Sequence, residues 1–123
     1  MTYLKYWIPP AFLYFLNIWL TEQGLYGQFP NLDMPMHFIG GMFVCFSWFL
    51  TWIKTYPMTW ADAVNTTAMV MVIAVAWEFY EFMLPSGASN QLDDTLLDLV
   101  MGYVGAWVMI LGMFIVEKIN AEK

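Results

Sequence analysis

Trp77-Glu78-Phe79-Tyr80-Glu81-Phe82, followed by Asp94-Thr95-Leu96-Leu97-Asp98, puts two pairs of carboxylates inside segments that otherwise read as membrane-spanning helices. Ionisable groups are rare in such segments, and those present face a bundle interior or a wet cavity. The surrounding composition supports the membrane reading. Of the 123 residues, 61% are apolar and only 11% charged, which a soluble domain of this length could not bury but a bilayer solvates. A crossing takes about 20 residues, so four spans use most of the chain. The expected fold is all-α, one polytopic membrane domain over residues 1–123, an antiparallel four-helix transmembrane bundle.

Working outward, the spans fall at approximately 4–20, 36–53, 60–83 and 93–116. The first lacks a small-x-small cleavage site and is rich in bulky aromatics, unlike a cleaved signal peptide. Pro9-Pro10 suits a first helical turn or a kink one turn in, and Asn17 suits a bond to a neighbouring helix. Residues 21–35 form a loop in which Asp33 is an expected N-cap, with Pro35 tolerated in the turn after it. Lys54, Tyr56 and Pro57 mark a short turn, and Thr59-x-x-Asp62 resembles a capping box. Pro85-Ser86-Gly87 ends the third span, and Asn90-x-x-Asp93 starts the fourth. The lone Cys45 offers neither a disulfide nor a cysteine metal cluster.

Lys5, Lys54, Lys118 and Lys123 share one side of a four-span chain, and the other side has no Lys or Arg. The positive-inside rule puts both termini in the cytoplasm of a cell that carries the protein in its plasma membrane. Trp7, Trp52, Tyr56 and Trp60 then mark the inner interface, and Trp19, Tyr26 and Tyr80 the outer one.

At a rise of about 1.5 Å per residue, His37, Glu78, Glu81, Asp94 and Asp98 lie within roughly 10 Å of the outer boundary, with Asp33 just above His37. Asp33/His37 and Asp94/Asp98 are i,i+4 pairs and Glu78/Glu81 is an i,i+3 pair, so each projects from one side of its helix. The same faces continue through Gly40, Gly41 and Cys45, through Gly102 and Gly105, and through Ala74. Small residues let helices approach in a membrane, so these are helix-packing stripes. A plainer reading stays open for part of the set. Asp93 and Asp94 would also suit the positive end of a helix, and Glu81 could reach water and headgroups.

Five potential negative charges against one imidazole cannot stay ionised near a membrane without protons, a cation or much water. Oxygen ligands with a single imidazole suit Mg²⁺, Ca²⁺ or Mn²⁺ and allow Zn²⁺ or Fe²⁺. A di-iron bundle would want Glu-x-x-His twice, and only one histidine is present. There is no nucleophile elbow, phosphate loop or zinc-protease motif, and no basic patch for nucleic acid.

Asp33-x-x-x-His37 opening one span, Glu78-x-x-Glu81 closing the next and Asp98-x-x-x-Gly102-x-x-Gly105 opening the last resemble the VanZ-like membrane proteins. The YjdF-type small membrane proteins are similar, including a Gly after the His. The resemblance covers roughly residues 31–106 and points to Asp33, His37, Glu78, Asp98 and Gly105. Departures make this cluster more acidic than the family pattern. Met34 stands where Lys is common, Glu81 where Gln is common, Gly102 where Asn is usual, and no Arg precedes Asp98. The family is associated with glycopeptide-antibiotic resistance.

Three functions follow as expectations. One is an outer-leaflet site that binds or acts on a lipid or envelope precursor, through a cation at Glu78, Asp98 and His37. Another is proton or metal handling, for which the inner half offers only Asp62, Asn65, Thr66 and Thr67. The third is an accessory subunit whose aromatic faces bury against other membrane subunits. The topology is checked with reporter fusions at the C-terminus and in the 21–35 loop. The expected result is a cytoplasmic C-terminus and an exported loop; an exported C-terminus would contradict it.

Overall fold

The computed structural model describes residues 3–54, 57–83 and 92–122. Five α-helices run in the order α1 (Ile8–Glu22), α2 (Leu25–Gln28), α3 (Asp33–Trp48), α4 (Trp60–Met83) and α5 (Leu92–Ala121). A 3-10 turn, Leu4–Trp7, leads into α1, another, Pro30–Leu32, leads into α3, and a π-helical turn, Phe49–Ile53, extends α3. No strand occurs among the described residues.

Three helical stretches are long and apolar enough to cross a membrane: Pro30–Ile53, Trp60–Met83 and Asp94–Ala121. The expected first span is divided instead, with Pro9 in the first turn of a 15-residue α1. Phe12, Phe15, Val72, Leu111 and Ile115 stay exposed, an outward apolar surface suited to hydrocarbon.

Local signals account for several boundaries. Thr59 and Asp62 form the expected capping box at the start of α4: the Thr59 N–H donates to Asp62 Oδ2 (2.9 Å) and the Asp62 N–H to Thr59 Oγ1 (3.2 Å). Lys54, at φ 54°, turns the chain out of the π-helical segment. Asp33 is not the N-cap of α3. That position is Leu32, without a side-chain cap bond, because the Pro30–Leu32 turn runs directly into the helix and leaves Asp33 already inside it. Tyr56, the Pro85-Ser86-Gly87 break, Asn90 and the side chain of Asp93 lie outside the description.

Contacts between helices set their directions. Ser47 Oγ donates to the Tyr6 carbonyl (2.6 Å), Trp7 Nε1 donates to Thr51 Oγ1 (3.0 Å), and Leu13 lies over Gly40. The beginning of α1 therefore meets the end of α3, and the two run antiparallel. Glu117 accepts the Met58 N–H (3.0 Å), and Trp60 packs on Trp107 and Phe114, so α4 and α5 are antiparallel too. Between α3 and α5 the order is parallel: His37 faces Asp98, Gly41 faces Gly102, and Cys45 Sγ points at the Ala106 carbonyl (3.5 Å).

The two halves of the bundle differ. One is a core of Cys45, Phe49, Met58, Ala63, Val70, Ala106 and Ile110. The other carries His37 and the carboxylates of Asp33, Glu78, Glu81 and Asp98. At the α3–α5 crossing the backbones touch. A Cβ on Gly41 would run into the Gly102 carbonyl, and one on Gly105 into the Phe38 carbonyl. At Gly40 and Gly102 the nearest atoms would be at 3.5 and 3.8 Å, ordinary contact.

This asymmetry gives a test. Alanine is about 1 kcal/mol better than glycine inside a helix, so Gly40→Ala and Gly102→Ala should be neutral or mildly stabilising. Gly41→Ala and Gly105→Ala should each cost roughly 1–3 kcal/mol, the usual penalty of overpacking where backbone cannot retreat. Thermal melts of the detergent-solubilised variants read the difference; four equal shifts would contradict the close crossing.

Candidate metal centre

His37 sits one turn into α3, and its imidazole lies between carboxylates from three helices. Nε2 is 3.4 Å from Asp33 Oδ1 and 3.8 Å from Asp98 Oδ2, and Nδ1 is 3.9 Å from Glu78 Oε1. Helical spacing stacks Asp33 one turn above His37. The glycine crossing brings α5 close enough for Asp98 to face the same ring, and the end of α4 supplies Glu78. The His37 and Asp98 side chains are 10% and 5% exposed, so the pair is removed from bulk water.

Two groupings have ligand atoms within 4.8 Å of one another: Asp33, His37 and Asp98, and His37, Glu78 and Glu81. These groupings could hold a metal ion. The separations at His37 exceed the 2.7–3.2 Å of good hydrogen bonds. Two ligands on one ion at 2.0–2.4 Å stand about 2.8–3.9 Å apart at octahedral or tetrahedral angles, a range that includes the 3.4 Å Asp33–His37 spacing. Glu78 Oε1 is buried with no hydrogen-bond partner. An acceptor in that state is costly unless a proton or cation reaches it.

Of the residues expected at the site, Asp33, His37, Glu78, Glu81 and Asp98 come together. Asp94 is exposed and belongs to neither grouping among the described residues, although its charge still acts on Glu78 and Asp98. An i,i+4 spacing aligns Asp94 with Asp98 only approximately, and one turn toward the helix end already carries Asp94 beyond the packed region. Gly41, Gly102 and Gly105 form the close crossing, while Gly40 meets α1.

Further residues enclose the site without having been singled out for it. The Tyr26 hydroxyl on α2 donates to Asn17 Oδ1, tying the short helix across the end of α1. Burial, with the charges of Asp33 and Glu81 nearby, holds the Tyr26 phenol above the usual tyrosine range. Tyr14 packs edge-on against Trp77 at 5.7 Å, and its hydroxyl lies 3.4 Å from that of Tyr80. Tyr26 reads equally well as an interface aromatic from sequence; only the fold of residues 25–32 turns it toward the carboxylates.

Comparison of the chain with protein-family models, with curated proteins and with solved structures gives no match.

Proposed function

We propose that this chain is a VanZ-like plasma-membrane protein that holds a divalent cation at the outer end of a four-helix transmembrane bundle and there binds a lipid or envelope precursor. The observation that carries the cation is the position of His37 Nε2, 3.4 and 3.8 Å from carboxylates on two different helices. On this reading Asp33, His37 and Asp98 are the ligands. Glu78, whose Oε1 is 3.9 Å from Nδ1, is the carboxylate that orients the other side of the imidazole, as second carboxylates do beside metal-bound histidines. Glu81 adds negative potential at the rim.

The fourth crossing is supplied by the N-terminal segment. The 3-10 turn Leu4–Trp7 and α1 together reach about 30 Å at rises of about 2.0 and 1.5 Å per residue, the thickness of a hydrocarbon core. Antiparallel contact of α1 with α3 supports the same topology, and the lysines then place both termini in the cytoplasm. Transfer of protons or metal across the membrane is less well supported. Below the site the bundle is closed by Cys45, Phe49, Val70, Ala106 and Ile110, each at most 2% exposed.

Melting the detergent-solubilised protein tests the cation. A ligand that binds only the folded state at 100 times its Kd stabilises by about 2.7 kcal/mol, so the midpoint should rise with Mg²⁺, Ca²⁺, Mn²⁺ or Zn²⁺ and fall with chelator. Asp98→Asn should abolish the response, and Glu78→Gln should weaken affinity about 10–100-fold. Stabilisation by mild acid with no response to any metal would replace the cation with protons. A midpoint unchanged by metal, acid or Glu78→Gln would leave the cluster a solvated rim and favour an accessory subunit.

A further inference from the structure

Beside His37 a cleft of about 130 Å³ runs between α1 and α4 over the face of α3. Its floor exists because Gly40, Gly41 and Ala74 carry little or no side chain. Its deeper walls, including Leu13, Val44 and Val70, are hydrocarbon, and its polar groups gather at the end where Asp33, His37 and Asn17 stand. Tyr14 and Trp77 present aromatic rings at that end. The cleft is therefore amphipathic along its length and continuous with the proposed cation site, with two residues, Asp33 and His37, belonging to both.

An apolar cavity of this size takes up small hydrocarbon groups readily in water. In a bilayer the available hydrocarbon is a lipid chain. Charge decides the headgroup. Asp33, Glu78, Glu81 and Asp98 together with one divalent cation keep a formal surplus of two negative charges when His37 is neutral. That surplus repels an anionic head and attracts an ammonium.

We infer that the cleft seats part of one hydrocarbon chain of a lipid whose ammonium headgroup lies against Asp33, at the polar end of the cleft that Tyr14 and Trp77 also line. This deepens the lipid-binding part of the proposed function and rests on it. It names the class of lipid: one carrying a primary or quaternary amine, not an acidic head.

The test uses the full chain in nanodiscs of equal phosphatidylethanolamine and phosphatidylglycerol with matched chains, followed by native mass spectrometry of the released protein. Wild type should retain one lipid, with the ethanolamine form favoured about fivefold or more. Ala74→Phe fills the cleft without altering a charged group, so it should lose the retained lipid while its melting point still rises with Mn²⁺. Equal retention of the two lipids by wild type would overturn the inference without any variant. So would an Ala74→Phe protein that melts cooperatively and keeps the lipid. Ala74→Leu serves if the phenylalanine variant does not fold. The Mn²⁺ response of wild type is read separately: its failure removes the cation but leaves the lipid measurement standing.

Discussion

The crossing of α3 and α5 is the constraint from which the site follows. Without side chains at Gly41 and Gly105, the two backbones meet carbonyl to Cα, an approach membrane helices reach only through small residues. This parallel contact puts Asp98 opposite His37 at 3.8 Å. A helix displaced by one methyl group would carry Asp98 away from the imidazole and reopen it to water. Packing and chemistry are thus one feature here: the glycines create no site themselves, but they determine which ionisable groups share one.

The bundle divides its interior by depth. At one end Phe49 and Ile110 are wholly buried among apolar neighbours; there Thr67 Oγ1 donates to the Ala63 carbonyl (2.8 Å), while the Thr66 hydroxyl is buried without a partner. At the other end carboxylates converge around a single imidazole. Like charges about 4 Å apart repel by about 4 kcal/mol per pair at an effective dielectric near 20. A packed core therefore anchors an end that would otherwise splay, and a cation held there would turn this repulsion into cohesion.

Much of this was legible in the residues. Apolar runs marked the helices, the Thr59/Asp62 pair marked the start of α4, and i,i+4 and i,i+3 spacing identified the faces of α3 and α4 that meet. The common level of His37, Glu78 and Asp98 needed only helical rise. Other features depend on geometry that spacing does not encode. Asp33 could cap a helix or begin one, and the choice rests on how residues 30–32 turn. Asp94 matches Asp98 in spacing but not in depth of burial. Tyr26 approaches the carboxylates because a four-residue helix folds back over Asn17, a tertiary event without a local signature. The start of α1 at Ile8 fits Pro9-Pro10 in its first turn, which the sequence allowed, whereas the contacts of Tyr6 and Trp7 with α3 are tertiary and had no local signal.

The central claim is that His37 Nε2 and the carboxylates of Asp33 and Asp98 bind one ion. Electron–nuclear double resonance on protein loaded with one equivalent of Mn²⁺ addresses it directly. The account predicts coupling to a single imidazole nitrogen, lost in His37→Gln, with one ion bound per chain. Mn²⁺ bound without nitrogen coupling, or coupling that survives His37→Gln, would contradict it.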